Sequence, residues 1–150
     1  MIEGVEIKRI KRHVDDRGYF EEILRVDDPI FTQFGQWSLS KMATGVIKAW
    51  HVHKAQADYW FVPVGVVRAV LYDMREDTVT AGDINEFIMG DDQEPIVLRI
   101  PPGVAHGCKV LQGPAMLSYV TTHVYNPEDE GRLAYNDKVI GYDWITEVIK

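Results

Sequence analysis

Short runs of β-branched and aromatic residues alternate along the chain with turns that contain glycine and proline. The clearest runs cover residues 59–64, 66–72, 96–100 and 116–124. Because β-branched and aromatic side chains fit a pleated, half-buried surface, each run predicts a strand. Strands separated by turns at such short intervals are typical of a β-sandwich or a β-barrel.

Two places predict short helices. Asp28 followed by Pro29 is an N-cap and first-turn signal, and Gly35 can end that helix. The tail after Asp143 can hold one or two further helical turns. Neither helix is long enough to cover a sheet, so we expect one all-β domain over residues 1–150, a jelly-roll barrel with room for a ligand between its sheets. Its exposed sheet edges also predict a homodimer.

The composition narrows the classes of partner. Of the 150 residues, 46% are hydrophobic, which is enough for a packed core. Lys and Arg number 16 against 23 Asp and Glu, a net charge of −7, so neither nucleic acid nor an anionic membrane is an expected partner. Any anionic ligand must therefore be met by a local cluster of cations.

The charge of the N-terminus and the number of cysteines indicate the cellular compartment in which we expect the protein. The charged N-terminus, from Glu3 to Arg12, is unlike a signal peptide, and no apolar run reaches the roughly 20 residues that span a bilayer. Cys108 is the single cysteine and cannot form an intrachain disulfide. We expect a cytoplasmic protein.

Candidate chemistry concentrates in residues 45–65, GVIKAWHVHKAQADYWFVPVG. His51 and His53 are two residues apart, so on a strand both side chains point to one face. Asp58 follows after four residues and Gly65 after six more. This arrangement resembles the first sequence motif of the cupin superfamily, with aspartate in the place of glutamate.

Residues 101–106, PPGVAH, resemble the second cupin motif, although Val110 stands where many metal-binding cupins carry asparagine. His51, His53, Asp58 and His106 would together supply three nitrogens and one oxygen, a set suited to iron, manganese, nickel or zinc. A divalent metal is therefore one candidate ligand. The alternative is a hydrogen-bonded histidine pair in the barrel mouth, with Asp58 in a turn that faces solvent.

Six segments carry a wider resemblance: DDRGYFEE at 15–22, GVIKAWH at 45–51, VLYDMRED at 70–77, IPPGVAHG at 100–107, SYVTTHVYNPEDE at 118–130 and YNDKVIGYDW at 135–144. Through them the chain as a whole resembles a narrower family, the dTDP-4-dehydrorhamnose 3,5-epimerases, which are cupins that act on nucleotide sugars. Several of these segments recur in the family's order with similar spacing.

That resemblance implies a reaction beside the ketone of a nucleotide-linked 4-keto-6-deoxy sugar. A base removes a C–H proton to give an enolate, and an acid returns a proton to the opposite face. The family's base falls on His51 and its acid on Tyr119. A tyrosine suits the role of the acid, because a phenol stays protonated at neutral pH. This chemistry requires no cofactor.

The resemblance also implies a binding set for a nucleotide-diphosphate sugar. Arg17 and Lys48 would meet the diphosphate, because their cations pair with phosphate oxygens. Glu22 would accept hydrogen bonds from the base or the ribose. The sugar would lie near His53, His106 and Tyr125.

Two family residues have no counterpart here. An aspartate that supports the catalytic histidine lies beyond the position of Trp144 in the family, and a lysine that holds the enolate oxygen falls near Asp58. Either Asp58 or Asp143 orients His51 while His53 stabilises the enolate, or a divalent ion replaces the lysine as a Lewis acid. Two further alternatives remain: a metal-dependent cupin that acts on another small molecule, and a noncatalytic sugar-binding member.

Overall fold

The computed structural model describes residues 1–146, and within that range it consists of strands, turns and loops without a helix. The strands are β1 (Glu6–Arg9), β2 (Arg12–Asp15), β3 (Gly18–Glu21), β4 (Gln36–Met42), β5 (Ile47–His53), β6 (Asp58–Asp73), β7 (Ile84–Gly90), β8 (Ile96–Ile100), β9 (Val104–Thr121) and β10 (Glu130–Arg132). The predicted all-β jelly-roll class is confirmed.

Two long antiparallel strands, β6 and β9, form the centre of the fold. They pair with each other from Asp58↔Thr121 to Asp73↔Val104, and each changes its outer neighbour part way along. The first residues of β6 pair with β8 and the later ones with β7, whereas β9 pairs first with β5 and then with β4. The two strands therefore belong to both layers of the barrel.

A bend at Gly65 carries β6 from one layer to the other. The register of β6 against β9 shifts between Phe61 and Val67, and Gly65 has a φ of +78°. A Cβ at this position would lie 2.6 Å from the Cα of Ala115, so the two chains pass too closely for any side chain. Only glycine satisfies both the positive φ and the close approach.

The main core lies between the layers, where Val67, Leu71, Leu98 and Val104 are fully buried. Burial of each such side chain stabilises the fold by about 1.5–3 kcal/mol. Val70, on the opposite face of β6, is also buried, under an aromatic cluster on the outer face that includes Trp50 and Trp144. Burial on both faces explains why residues 66–72 are apolar at every position except Arg68, instead of alternating between apolar and polar residues.

The helix predicted at Asp28 is wrong. The Asp28 carboxylate accepts from Lys8 Nζ at 2.7 Å and from the backbone N–H of Arg25 at 2.6 Å, both upstream, so it does not cap a following helix. Gly35 instead donates its N–H to the carbonyl of Thr121, where the chain enters β4. The helix predicted after Asp143 extends into 147–150, outside the described residues, and 143–146 contain a bend.

Strands β2 and β3 form a separate two-stranded sheet. Its exposed surface carries Val14, Tyr19 and Phe20. Among the described residues there is no helix long and apolar enough to cross a bilayer.

The close approach at Gly65 predicts a position-specific loss of stability. Gly65→Ala should lower the free energy of unfolding by about 1–3 kcal/mol more than Gly82→Ala, because overpacking adds to the strain of a positive φ. Gly82 is the matched control, since its φ is +83° and nothing lies within 4 Å of its added Cβ. Urea denaturation of both variants measures the difference, and equal losses would contradict the predicted clash.

Candidate functional site

A cavity of about 290 Å³ is bounded by both layers of the barrel. Residues of β4, β5, β6, β9 and β10 line it, together with Tyr125 and Asn126 from the loop before β10. The room between the sheets that the sequence predicted is therefore present, and it has a polar wall.

Three histidines converge on this cavity. His51 and His53 lie on β5 and point into it together, as their spacing predicted. His106 lies on β9 directly opposite His51, and its ring stacks on both others, with centroids 5.5 Å from His53 and 6.3 Å from His51. The peptide bond between Ala49 and Trp50, where the register of β5 against β9 shifts, is cis.

Glu130 orients His51. The Nδ1–H of His51 donates to Glu130 Oε1 at 2.7 Å, because β10 pairs with β5 and brings the carboxylate beside the imidazole. This contact leaves Nε2 of His51 as the ring nitrogen that can take up a proton. The expectation that Asp58 or Asp143 orients His51 is wrong: Asp58 bonds to Gln56, and Asp143 accepts from the backbone N–H of Ile145 and Thr146.

The Glu130 carboxylate is kept ionised by its neighbours. Burial raises its pKa, but hydrogen bonds from His51 and Arg132 lower the pKa by more, so that it lies below its ordinary value. Arg132 Nη2 lies 3.3 Å from Glu130 Oε2, at the rim of the cavity. An ionised Glu130 can accept the Nδ1–H of His51 and the N–H of Arg132 at the same time.

Sequence reasoning did not select Glu130 or Arg132 as site residues. The available signal was the segment 118–130, which ends in the acidic pair Asp129 and Glu130. The sequence does not mark these acids as site residues, because the order of residues does not show that β10 pairs with β5.

Tyr119 lines the same cavity as His51. It lies on β9, between Ser38 of β4 and Trp60 of β6 in the sheet register. Lys48 and Tyr125 also line the cavity. The structure thus brings together both residues to which the resemblance assigns catalytic roles.

Asp58 is buried in the cavity wall, with a relative exposure of 4%. Gln56 Nε2 donates to its Oδ1 at 2.8 Å and Trp60 Nε1 donates to its Oδ2 at 3.2 Å. His106 Nε2 lies 3.6 Å from the same carboxylate. Burial is the main influence on His106 and lowers its pKa, while Asp58 acts in the opposite direction. The alternative that placed Asp58 in a solvent-facing turn is therefore wrong.

The structure does not bring Arg17 and Glu22 to this cavity. Arg17 lies in the turn between β2 and β3, with a side-chain exposure of 85%, and pairs with Asp15 at 2.6 Å. Glu22 follows β3 and pairs with Arg25 at 3.0 Å. Within one chain, the cations that line the cavity are Lys48 and Arg132, not Arg17.

The fold and the site together define a class. A jelly-roll barrel that holds a carboxylate-oriented imidazole and a phenol in one polar cavity is built for acid–base chemistry on a small molecule, since it offers both a proton acceptor and a proton donor.

The whole chain, residues 1–150, matches the family model described as dTDP-4-dehydrorhamnose 3,5-epimerase. The chain belongs to this family, as its resemblance predicted.

Its relatives include proteins of the same length and longer ones. The spore coat polysaccharide biosynthesis protein SpsL of Bacillus subtilis (strain 168) is 48% identical, over 98% of this chain and 99% of that protein. The dTDP-4-dehydrorhamnose 3,5-epimerase of Neisseria gonorrhoeae is 35% identical over 93% of this chain, but only 44% of its own length is covered.

Solved structures share the fold. A dTDP sugar isomerase from Desulfovibrio desulfuricans G20 superposes with a TM-score of 0.89 at 29% identity, covering 95% of this chain and 91% of that one. A Legionella pneumophila 3,5-epimerase, solved with dTDP-4-keto-L-rhamnose, has a TM-score of 0.86 at 29% identity, with coverages of 95% and 79%.

The contact between His51 and Glu130 predicts a fixed tautomer. Near neutral pH, nitrogen NMR of the neutral ring should show His51 protonated at Nδ1, because the carboxylate of Glu130 can only accept. Glu130→Gln should allow the Nε2–H tautomer, since an amide can either donate or accept. Glu128→Gln, a nearby change outside the cavity, is the control and should leave the His51 signals unchanged. Identical His51 nitrogen shifts in wild type and Glu130→Gln would refute the assignment.

Proposed function

We propose that this protein is an epimerase that acts by proton transfer beside the ketone of a nucleotide-linked 4-keto-6-deoxy sugar. The observation that carries the proposal is the pair His51–Glu130, which shares one cavity with Tyr119. Membership of the 3,5-epimerase family supports it, as does the sugar nucleotide bound to the Legionella pneumophila relative. Similarity to a spore coat polysaccharide biosynthesis protein supports a role in polysaccharide biosynthesis.

In this mechanism His51 is the base. Its Nε2 removes the proton from the carbon beside the ketone, and the electron pair of the C–H bond moves to the ketone oxygen as an enolate. Glu130 stabilises the resulting imidazolium through the 2.7 Å hydrogen bond. Tyr119 then donates its hydroxyl proton to the other face of the same carbon, and the C–H bond forms again with inverted configuration.

The substrate's diphosphate requires cations in an acidic protein, and the cavity offers Lys48 and Arg132. Lys48 is on β5 with His51, so a phosphate at Lys48 would hold the sugar close to the base. Arg132 is also tied to Glu130, and we propose that it meets the charged part of the substrate at the rim. His53, His106 and Tyr125 would contact the sugar.

Glu130 also bears on the noncatalytic alternative. The sequence favoured that alternative because the family's supporting aspartate and lysine were not recognised in it. Because Glu130 supplies a carboxylate to His51 from another strand, the base retains the partner that it needs. Epimerases of this family require no cofactor, since the substrate ketone itself acidifies the neighbouring C–H bond.

Incubation with a dTDP-4-keto-6-deoxy sugar in deuterium oxide tests the proposal. Wild-type protein should introduce deuterium at C3 or C5, as observed by mass spectrometry and proton NMR. His51→Asn should slow this exchange by about 10²–10⁴-fold, the usual contribution of a general base. Correctly folded wild-type protein that exchanges neither position would exclude proton transfer on this substrate.

Tyr119→Phe separates the acid from the base in the same assay. His51 should still remove and return a proton on its own face, so deuterium exchange with retained configuration should persist. Inversion should fall by about 10²–10⁴-fold, because the opposite face has lost its donor. Equal loss of exchange and inversion would show that Tyr119 is not the second proton donor.

We further propose that the protein is a cytoplasmic homodimer joined through β4. This strand has β9 as its partner, and its outward face exposes Trp37 by 73% and Leu39 by 62%. Phe34 lies nearby and is 64% exposed, so the three residues form an apolar patch of the kind that partner surfaces cover.

Arg17 and Glu22 could contact the nucleotide only if they reached the cavity of the second copy. The buried thiol of Cys108 suits a reducing compartment.

Light scattering coupled to size exclusion measures the assembly. Wild-type protein should elute with twice the chain mass of 17.2 kDa. Trp37→Glu should give the mass of one chain, because it places a charge in the apolar patch. Val79→Glu, at a residue 95% exposed and outside β4, is the matched control and should stay dimeric. A wild-type mass of one chain at micromolar concentration would refute the dimer.

A further inference from the structure

A buried donor cluster lies beside the proposed base. One ligand atom each from His53, Asp58 and His106 lies within 4.8 Å of the other two. The exposures of the side chains are 12% for His53 and 5% for both Asp58 and His106. We propose that these three residues form a binding site for one divalent transition-metal ion, of the class of Zn²⁺ or Co²⁺, in the wall of the sugar cavity.

The imidazole of His106 is turned so that it can serve as a ligand. Its Nδ1 lies 3.1 Å from the carbonyl oxygen of Val104, which can only accept, so Nδ1 carries the proton of that contact. Nε2 therefore faces Asp58, at 3.6 Å from Oδ2. A hydrogen bond from the remote ring nitrogen to a carbonyl is the usual support of a metal-bound histidine.

His53 has a matching arrangement. Its Nδ1 faces Asp129 Oδ2 at 3.9 Å, while Nε2 lies 3.4 Å from Gln56 Nε2, the amide that also bonds to Asp58. Asp129 accepts from the backbone N–H groups of residues 54–56, which fixes the loop between the two ligands. The Gln56 amide occupies the space between His53 Nε2 and Asp58, so a bound ion would displace this amide, and both histidines would then present Nε2 toward one carboxylate.

The approach of His106 to Asp58 is itself unusual. When the ring is neutral, a nitrogen lone pair and a carboxylate oxygen face each other at 3.6 Å with little water to separate them. Two buried acceptors at this distance repel each other unless a proton or a cation lies between them. A metal ion would remove this repulsion and join the two groups.

The donor set selects the kind of ion. Two imidazoles and one carboxylate suit Zn²⁺, Co²⁺ and Fe²⁺, and they leave coordination positions open. Ligand distances of about 2.0–2.2 Å require the side chains to move inward by about 1 Å. The cluster of ligand atoms that lie within 4.8 Å of one another does not include His51, so three of the four ligands suggested by the sequence come together.

A bound ion here would polarise an oxygen of a molecule in the cavity. That use depends on the proposed epimerase function, and it would compensate for the missing lysine near Asp58. Metal binding itself does not depend on that function. A test without substrate therefore separates the site from the reaction.

Metal binding is measured on chelator-treated protein by equilibrium dialysis against Co²⁺ and Zn²⁺. Wild type should bind one ion per chain, and Co²⁺ should give the intense visible absorption of a site with imidazole ligands and fewer than six donors. Asp58→Asn and His53→Gln should each weaken binding by about 100-fold or more, since even outer partners of a ligand are worth 10–100-fold. His13→Gln, an exposed histidine on β2, is the matched control and should bind like wild type.

Circular dichroism shows whether each variant folds. If Asp58→Asn does not fold, His53→Gln decides, because His53 is the least buried of the three ligands. Wild-type protein that binds no ion would overturn the proposal. Unchanged metal binding by folded His53→Gln would also overturn it. An equally large loss of binding in His13→Gln and in His53→Gln would overturn it as well.

Discussion

The antiparallel pairing of β6 with β9 is the constraint on which the rest of the structure depends. This ladder places Trp60 opposite Tyr119 at one end and Leu71 opposite His106 at the other. The cavity lies where the two strands have passed from one layer to the next. Without the bend at Gly65 the strands could not serve both layers, and the phenol and the histidines would not face one space.

Charges of both signs meet inside the cavity of a chain whose net charge is −7. Lys48 and Arg132 line the cavity together with three histidines, and Asp58 and Glu130 line it as well. Glu130 connects these groups, because one of its oxygens accepts from His51 and the other lies beside Arg132. The same carboxylate thus orients His51 and holds the guanidinium of Arg132 at the rim of the cavity.

Two features of the cavity set this chain apart from what the resemblance implies. Glu130 is the carboxylate that bonds to His51, and the buried cluster of His53, Asp58 and His106 lies near the place where the resemblance implies a lysine. Under the proposed function, a carboxylate in that place would oppose an enolate by itself, whereas a cation bound by the cluster would offset its charge.

The sequence by itself determined the strands and much of the cavity. The spacing of His51 and His53 required a shared face on a strand, and the resemblance of segments 45–51 and 118–130 pointed to His51 and Tyr119 together. These features are local or depend on motifs, so they can be recognised along the chain. The β-branched and aromatic residues at 66–72 likewise predicted a strand, although not that β6 would continue as one strand from Asp58 to Asp73.

The tertiary structure decided which carboxylate meets which imidazole. Asp58 is near His51 in sequence but bonds to Gln56 and Trp60, while Glu130, 79 positions away, reaches His51. The predicted helix at Asp28 does not form, because the Asp28 carboxylate accepts hydrogen bonds from Lys8 and from the N–H of Arg25. Arg17 lies outside the cavity of its own chain. The contacts of Glu130 with His51 and of Lys8 with Asp28 join segments that are distant in sequence, and such contacts can outweigh the local preferences that a sequence displays.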